Sequence, residues 1–236
     1  MSGRVLITGA AGALGRSVVQ RFLDGGDRIL AADANEAALG ELTELAPSDR
    51  LSVRRVNLAD SGEVEALFER WYEDTERASG IPSAVVHLVG GFRWARFADL
   101  TDRDWSYLVT LNLETTFRVF RECARRFERA GGGSVVAVSA PAALLGEAGV
   151  GGYAAAKAGV LRMVESLARE IAPFGGRANA ILPGTMDTPA NRAAMPDADP
   201  LQWVSTDAVA SAIHFLTTPA AAGINGAAVR VPGRSL

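Results

Sequence analysis

Short apolar runs alternate with longer amphipathic stretches along the whole 236-residue chain. Val5–Thr8, Arg28–Ala32, Leu51–Val56, Ala84–Val89, Ser134–Val138, Ala178–Leu182 and Ala227–Val231 read as strands. Several are nearly continuous in apolar residues, the pattern of strands covered by helices on both faces. Between them the apolar spacing falls near 3.6. Val64, Leu67, Phe68 and Trp71 follow i, i+3, i+4, i+7 behind a capping pair, Asp60 and Glu63. Trp105, Leu108, Val109, Phe117, Phe120, Ala124 and Phe127 mark a longer helix, which Gly131-Gly132-Gly133 closes. Repeated β–α alternation with short connections predicts an α/β fold, a doubly wound parallel sheet of about seven strands. No linker, repeat or composition break divides the chain, so one domain over 1–236 is expected. The segment 186–205, rich in Pro, Asp and Met and carrying Trp203, is the irregular exception and reads as a substrate lid.

Composition narrows the function. Apolar residues make up 48 % and charged residues 22 %, with a net charge of −3. That balance gives no electrostatic reason to expect nucleic acid or an anionic membrane as partner. Cys123 is the only cysteine, which excludes an intrachain disulfide and a cysteine-based zinc site. His87 and His214 are too few for a histidine-rich metal site. Met1-Ser2-Gly3-Arg4 leads straight into strand-like residues without the features of a signal peptide, and no apolar run approaches a membrane span. A cytoplasmic protein acting on a small molecule is expected.

Thr8-Gly9-Ala10-Ala11-Gly12-Ala13-Leu14-Gly15 follows the first strand and opens a helix whose apolar face includes Leu14, Val18, Val19 and Phe22. Glycines there allow a tight turn and close approach to a pyrophosphate, and the helix N-terminus offers free N–H groups and a favourable dipole. Spacing alone is a weak signal. Position at the first β–α turn makes Gly9, Gly12, Leu14 and Gly15 a candidate dinucleotide cradle. Asp33 stands just beyond the second strand, where a carboxylate accepts from an adenosine ribose and repels a 2′-phosphate. No Arg or Lys occupies positions 31–35, so NAD(H) is expected in preference to NADP(H). The alternative is that Asp33 merely starts the following helix.

Tyr153 and Lys157 stand four apart in Tyr153-Ala154-Ala155-Ala156-Lys157, on one helix face. An ammonium fixed beside a phenol favours phenolate and lowers the tyrosine pKa towards working pH. Alone, such a pair reads as surface charge; downstream of a dinucleotide loop it reads as a proton-donating pair.

This order of motifs resembles the short-chain dehydrogenase/reductase family across nearly the whole chain. The resemblance implies a Rossmann-like sheet and an Asn–Ser–Tyr–Lys tetrad. Asn112 in Leu111-Asn112-Leu113 matches the asparagine, which helps hold a water in the proton relay to the lysine. Pro183-Gly184-Thr185 matches the turn beside the nicotinamide, and Thr188 a hydroxyl that contacts the cofactor. The resemblance also implies cofactor contacts at Asn57, Leu58 and Gly90, and a homodimer or homotetramer through the helices carrying Asn112 and Tyr153.

The departures are specific. The glycine loop has the form G-x-x-G-x-x-G, the usual Asn-Asn-Ala-Gly reads His87-Leu88-Val89-Gly90, and Asn57 takes the place of an aspartate near the adenine. The serine expected 13 residues before the tyrosine is Ala140, with Ser139 one place off and so expected on the opposite face. Dihydropteridine reductases also lack that serine. Gly90-Gly91-Phe92, Thr185-Met186-Asp187-Thr188-Pro189-Ala190-Asn191-Arg192, Met195-Pro196-Asp197-Ala198-Asp199 and Trp203 resemble that branch. The resemblance implies an enzyme moving hydride between NAD(H) and a small conjugated or carbonyl substrate, a quinonoid dihydropterin among them. A carbonyl/alcohol dehydrogenase using Ser139, or an NAD-binding protein with little turnover, are the rivals.

Of the remaining residues, His87 reads as a buried, hydrogen-bonded structural histidine and His214 as solvated, off the Val209, Ala212, Ile213, Leu216 stripe. Trp71 and Trp105 read as core, and Cys123 as packing.

Overall fold

The computed structural model describes residues 3–47, 49–76 and 82–234, so Met1 and Ser2 lie outside the described residues. The chain alternates β1 (Arg4–Thr8), α1 (Ala13–Asp24), β2 (Arg28–Asp33), α2 (Glu36–Leu42), β3 (Leu51–Arg55), α3 (Ser61–Glu76) and β4 (Pro82–His87). A long helical segment follows, made of α4 (Asp102–Val109), a π-turn (Thr110–Glu114) and α5 (Thr115–Ala130). Then come β5 (Gly133–Val138), α6 (Gly151–Ile171), β6 (Gly176–Pro183), β7 (Met186–Asp187), α7 (Pro189–Ala194), β8 (Val204–Ser205), α8 (Thr206–Thr217) and β9 (Ala228–Val231). Seven parallel strands run in the order β3-β2-β1-β4-β5-β6-β9. The order reverses between β1 and β4, and the crevice at the carboxyl ends of those strands is where such a sheet receives ligands. No helix among the described residues is long and apolar enough to cross a membrane.

Side chains alternate across the sheet and build two cores. Leu6, Val85, Val135 and Ala180 face one side, where Phe68 of α3, Phe127 of α5 and Val160 of α6 pack on them. Val5, Ile7, Val86 and Ile181 face the other, against Val18 and Phe22 of α1 and Ile213 of α8. Both faces are apolar, so the strands read as continuous hydrophobic runs. Fully burying a side chain such as Phe68 contributes about 1.5–3 kcal/mol. Trp71 and Cys123 are core, as expected.

The helix expected as one piece is interrupted. At the π-turn the Thr115 N–H reaches back to the Thr110 carbonyl, one residue further than an α-helix allows. The hydroxyls of Thr115 and Thr116 then fill the carbonyls of Leu111 and Asn112, at 2.7 and 2.6 Å. The extra residue shifts the phase of the helix, so one apolar stripe does not run its whole length. Phe117 is 52 % exposed. Trp105, expected in the core, is 44 % exposed because α4 buries only Leu108. Gly131, at φ +74, ends α5 as the glycine run predicts.

Other local expectations also shift. The Glu63 N–H donates to Asp60, but the Glu63 carboxylate accepts from the Asn57 N–H rather than completing a reciprocal box. His214 is not solvated: α8 packs on α1, which places the ring edge-on to Phe22 and 3.8 Å from the Asp27 carboxylate. The segment 186–205 is more ordered than its composition suggests. Met186 pairs with Val204 and Asp187 with Ser205, with α7 between them. Arg192 holds Asp187 through two hydrogen bonds, at 2.6 and 2.8 Å.

Candidate active site

At the carboxyl end of β1 the chain turns on Gly9, and the N–H groups of Gly9 and Ala10 both donate to the Ala32 carbonyl. Gly12 caps α1 without a side chain, leaving the helix N-terminus open to an anion. Gly15 is irreplaceable on steric grounds: a β-carbon there would lie 2.3 Å from the Gly9 carbonyl oxygen. The cradle fits a pyrophosphate. The Leu14 side chain belongs to the core, so only its main chain is available to a ligand.

Asp33 ends β2 and accepts from the N–H groups of Ala11 and Asn35, each at 3.0 Å. Asn35, not Asp33, caps α2 through the Ala38 N–H, so the carboxylate is not spent on starting that helix. Two arginines outside the window 31–35 come near. Sheet register sets Arg55 beside Asp33, with Glu63 4.0 Å from its guanidinium. Arg16 donates to the Ala11 carbonyl and pairs with Glu41 at 2.6 Å. Asn57 folds its side chain onto the Ala59 N–H, and the Leu58 side chain is buried in the core.

Tyr153 and Lys157 occupy the first two turns of α6. The Lys157 ammonium donates to the Val138 carbonyl at 2.9 Å and lies 5.9 Å from the centroid of the Tyr153 ring. Phe92 packs edge-on against Tyr153 at 5.0 Å. Burial pushes the Lys157 pKa down to about 8 and the Tyr153 pKa up to about 12. The expected lowering of the phenol by the lysine is therefore not found in this arrangement. At 5.9 Å, with the ammonium turned to a carbonyl, desolvation of the ring outweighs attraction.

Asn112 sits in the π-turn, fully buried. Its amide donates to the carbonyls of Gly91 and Leu108, both at 2.9 Å, and accepts from the Gly91 N–H at 3.2 Å. Gly90 is the point where the groups converge: a β-carbon there would meet Asn112 Oδ1 at 2.7 Å and Lys157 Nζ at 2.8 Å.

Beside Tyr153 lies a cleft of about 450 Å³ lined by Phe92, Ala140, Glu147, Pro183, Met186 and Met195. Thr185 also lines it, and its carbonyl accepts from the Val204 N–H at 2.9 Å. Thr188 caps α7 by accepting from the Asn191 N–H at 3.2 Å. Ser139 and Ala140 both line the cleft, so the expected opposite facing of Ser139 is not found; its hydroxyl nonetheless donates to the Lys157 carbonyl at 2.9 Å, and Ala140 offers only a methyl group. A second cleft, of about 480 Å³, opens at the opposite, amino ends of the strands beside Asp27, Arg177 and His214 and holds none of these groups.

Sequence reasoning missed Thr116 as a neighbour of the site, because only the folded chain brings it to His87, and it reads Thr8 and Phe92 only as members of the glycine loop and of the Gly90-Gly91-Phe92 run. His87 is buried and hydrogen-bonded at both ring nitrogens, by Thr8 and Thr116.

Comparison with known proteins agrees with this architecture. A family model described as enoyl-(acyl carrier protein) reductase matches residues 9–233. A (3R)-3-hydroxyacyl-CoA dehydrogenase of Canis lupus familiaris is 28 % identical, over 98 % of this chain and 95 % of its own. A protein of Mycobacterium tuberculosis described as an uncharacterized NAD-dependent oxidoreductase is 34 % identical, over 80 % of this chain and 74 % of its own. The crystal structure of an oxidoreductase of the short chain dehydrogenase/reductase family from Burkholderia thailandensis superposes with a TM-score of 0.83 at 29 % identity, covering 99 % of this chain and 92 % of that one. With the parallel sheet, the glycine turn and the Tyr153–Lys157 helix in their matching order, the chain belongs to the short-chain dehydrogenase/reductase family of oxidoreductases.

Proposed function

We propose that the protein is an NAD(H)-dependent reductase or dehydrogenase acting on a small carbonyl or conjugated substrate, with Tyr153 as proton donor. The observation that carries this reading is the convergence at Gly90, where Lys157 Nζ and Asn112 Oδ1 both come within 2.8 Å of one β-carbon position. Gly9, Gly12 and Gly15 would hold the pyrophosphate and Asp33 the adenosine ribose, with Asn57, Leu58, Pro183, Thr185 and Thr188 along the rest of the cofactor. Bound there, the cofactor supplies or takes up hydride at its nicotinamide.

The protein's own residues handle the proton. Tyr153 delivers it from the cleft wall to the substrate atom that gains charge. Lys157, near its titration point at neutral pH, returns a proton to the tyrosine, and Asn112 holds the relay in place. NAD(H) is favoured over NADP(H), because Asp33 repels a 2′-phosphate and the two nearby arginines already face glutamates.

Ala140 favours a second, narrower reading. No hydroxyl stands there to polarise a substrate oxygen, and Phe92, Met186 and Met195 make an apolar, polarisable wall. A flat conjugated imine such as a quinonoid dihydropterin suits that wall better than a simple ketone. The exposed Phe117 on α5 further supports self-association through α5 and α6.

The test is NADH consumption against a panel of ketones, hydroxyacyl-type oxo compounds and conjugated imines, with Tyr153→Phe as control. Turnover with at least one class is expected, falling roughly 100-fold in the control while NADH binding changes by less than ~3-fold. A fully active Tyr153→Phe would overturn the assignment.

A further inference from the structure

Strand β4 ends on His87, which is 1 % exposed. Its Nδ1 lies 2.8 Å from Thr8 Oγ1 and its Nε2 lies 3.1 Å from Thr116 Oγ1. The Thr116 hydroxyl gives its one proton to the Asn112 carbonyl at 2.6 Å, so towards His87 it can only accept. The ring hydrogen therefore sits on Nε2, and Nδ1 accepts from the Thr8 hydroxyl. Burial, with a smaller contribution from Lys157, depresses the ring's pKa to about 3 and keeps it neutral, as that tautomer requires.

These bonds link two parts of the site that are far apart in sequence. Thr8 is the last residue of β1 before the Gly9 turn. Thr116 and Asn112 belong to the helix segment distorted by the π-turn, where the Leu111 and Asn112 carbonyls accept from the hydroxyls of Thr115 and Thr116. A helical threonine chooses between two rotamers according to whether its hydroxyl bonds the preceding turn. The imidazole N–H selects the rotamer of Thr116 that reaches Asn112.

We infer that His87 is a positioning residue, which locks the π-turn bearing Asn112 to the strand end bearing the glycine loop. The relay asparagine and the cofactor cradle then move as one body. The inference rests on the role proposed above for Asn112.

The test combines kinetics with hydrogen exchange. His87→Leu keeps the bulk and removes both bonds, whereas His87→Gln carries a donor and an acceptor and can bridge again. His87→Leu should lower kcat at least ~10-fold, leave the KM for NADH within ~3-fold, and speed exchange at the Gly91 amide, which Asn112 holds. His87→Gln should recover most of the loss. In the Asn112→Ala background, His87→Leu should cost nothing further, because the two act through one group.

Losses that multiply in the double variant, or a Gly91 amide exchanging at the wild-type rate in His87→Leu, would overturn the inference whatever the turnover. Full activity in Asn112→Ala would overturn the proposed role of Asn112 itself. Should His87→Leu fail to fold, Thr116→Val removes the same link from the helix side and is read by the same criteria.

Discussion

The Ser139 hydroxyl donates to the Lys157 carbonyl at 2.9 Å, which turns it onto the backbone of α6. Ser139 and Ala140 both line the cleft, but Ala140 has only a methyl group to offer there and the Ser139 proton is already given to that carbonyl. Ser139→Ala should therefore change turnover by less than ~3-fold and cost about 1 kcal/mol of stability, the usual worth of one buried hydrogen bond. Ala140→Ser adds a donor at the cleft wall, and such donors contribute about 3 kcal/mol at a developing oxyanion. It should raise ketone turnover at least ~10-fold and do little for a conjugated imine. A ~100-fold loss in Ser139→Ala, with folding intact, would show that Ser139 serves the substrate.

Cofactor choice is expected to rest on Asp33. NADH should bind at least ~10-fold more tightly than NADPH, a difference of about 1.4 kcal/mol. Asp33→Ser removes the repulsion and should narrow that ratio, and Glu41→Gln should narrow it further by freeing Arg16. Dissociation constants for the two cofactors, titrated by fluorescence, measure both effects. Equal affinities in the wild type would refute the role of Asp33.

The pH profile should identify the group that limits proton delivery. Lys157 loses its proton near pH 8, whereas Tyr153 keeps its own until about pH 12. In the reducing direction kcat/KM should be flat below about pH 7 and fall tenfold per unit above about pH 8. A fall beginning only above pH 10 would point to the tyrosine and away from the lysine.

Acid should destabilise the fold through His87. Its folded pKa, about 3, is depressed from 6.5, so between those values the unfolded chain binds more protons than the folded one. The stability due to the neutral ring is complete above pH 6.5 and is lost as pH falls towards 3. Urea unfolding should show a loss of about 2 kcal/mol between pH 7 and pH 5 from this group. In His87→Gln that part of the slope should vanish.

The strands and the glycine turn were legible because burial on two faces writes continuous apolar runs, and Tyr153 and Lys157 because one helix fixes their spacing. The π-turn was not legible. It rests on one backbone bond that reaches a residue further than usual, and the hydroxyls of Thr115 and Thr116 that bond beside it have no local signature in a helix. Arg55 comes beside Asp33 only through strand order, which no window of neighbouring residues contains. α7 escaped because its six residues are too few to display a period. The effect of Lys157 on Tyr153 was misjudged because spacing fixes a shared helix face but not where the ammonium points.

The two-residue clasp of β7 and β8 has a consequence for how such a protein changes over time. Met186 pairs with Val204, and Thr185 accepts from the Val204 N–H, so the segment between leaves and rejoins the body at one place. Beyond the clasp, Ser205 caps α8, and Thr206 bonds Ser17 of α1 at 2.8 Å, beside the glycine loop. Residues added or lost around 195–200 leave those anchors where they are. Changes of length there can thus redraw the cleft wall at Met195 while the glycine turn keeps its place.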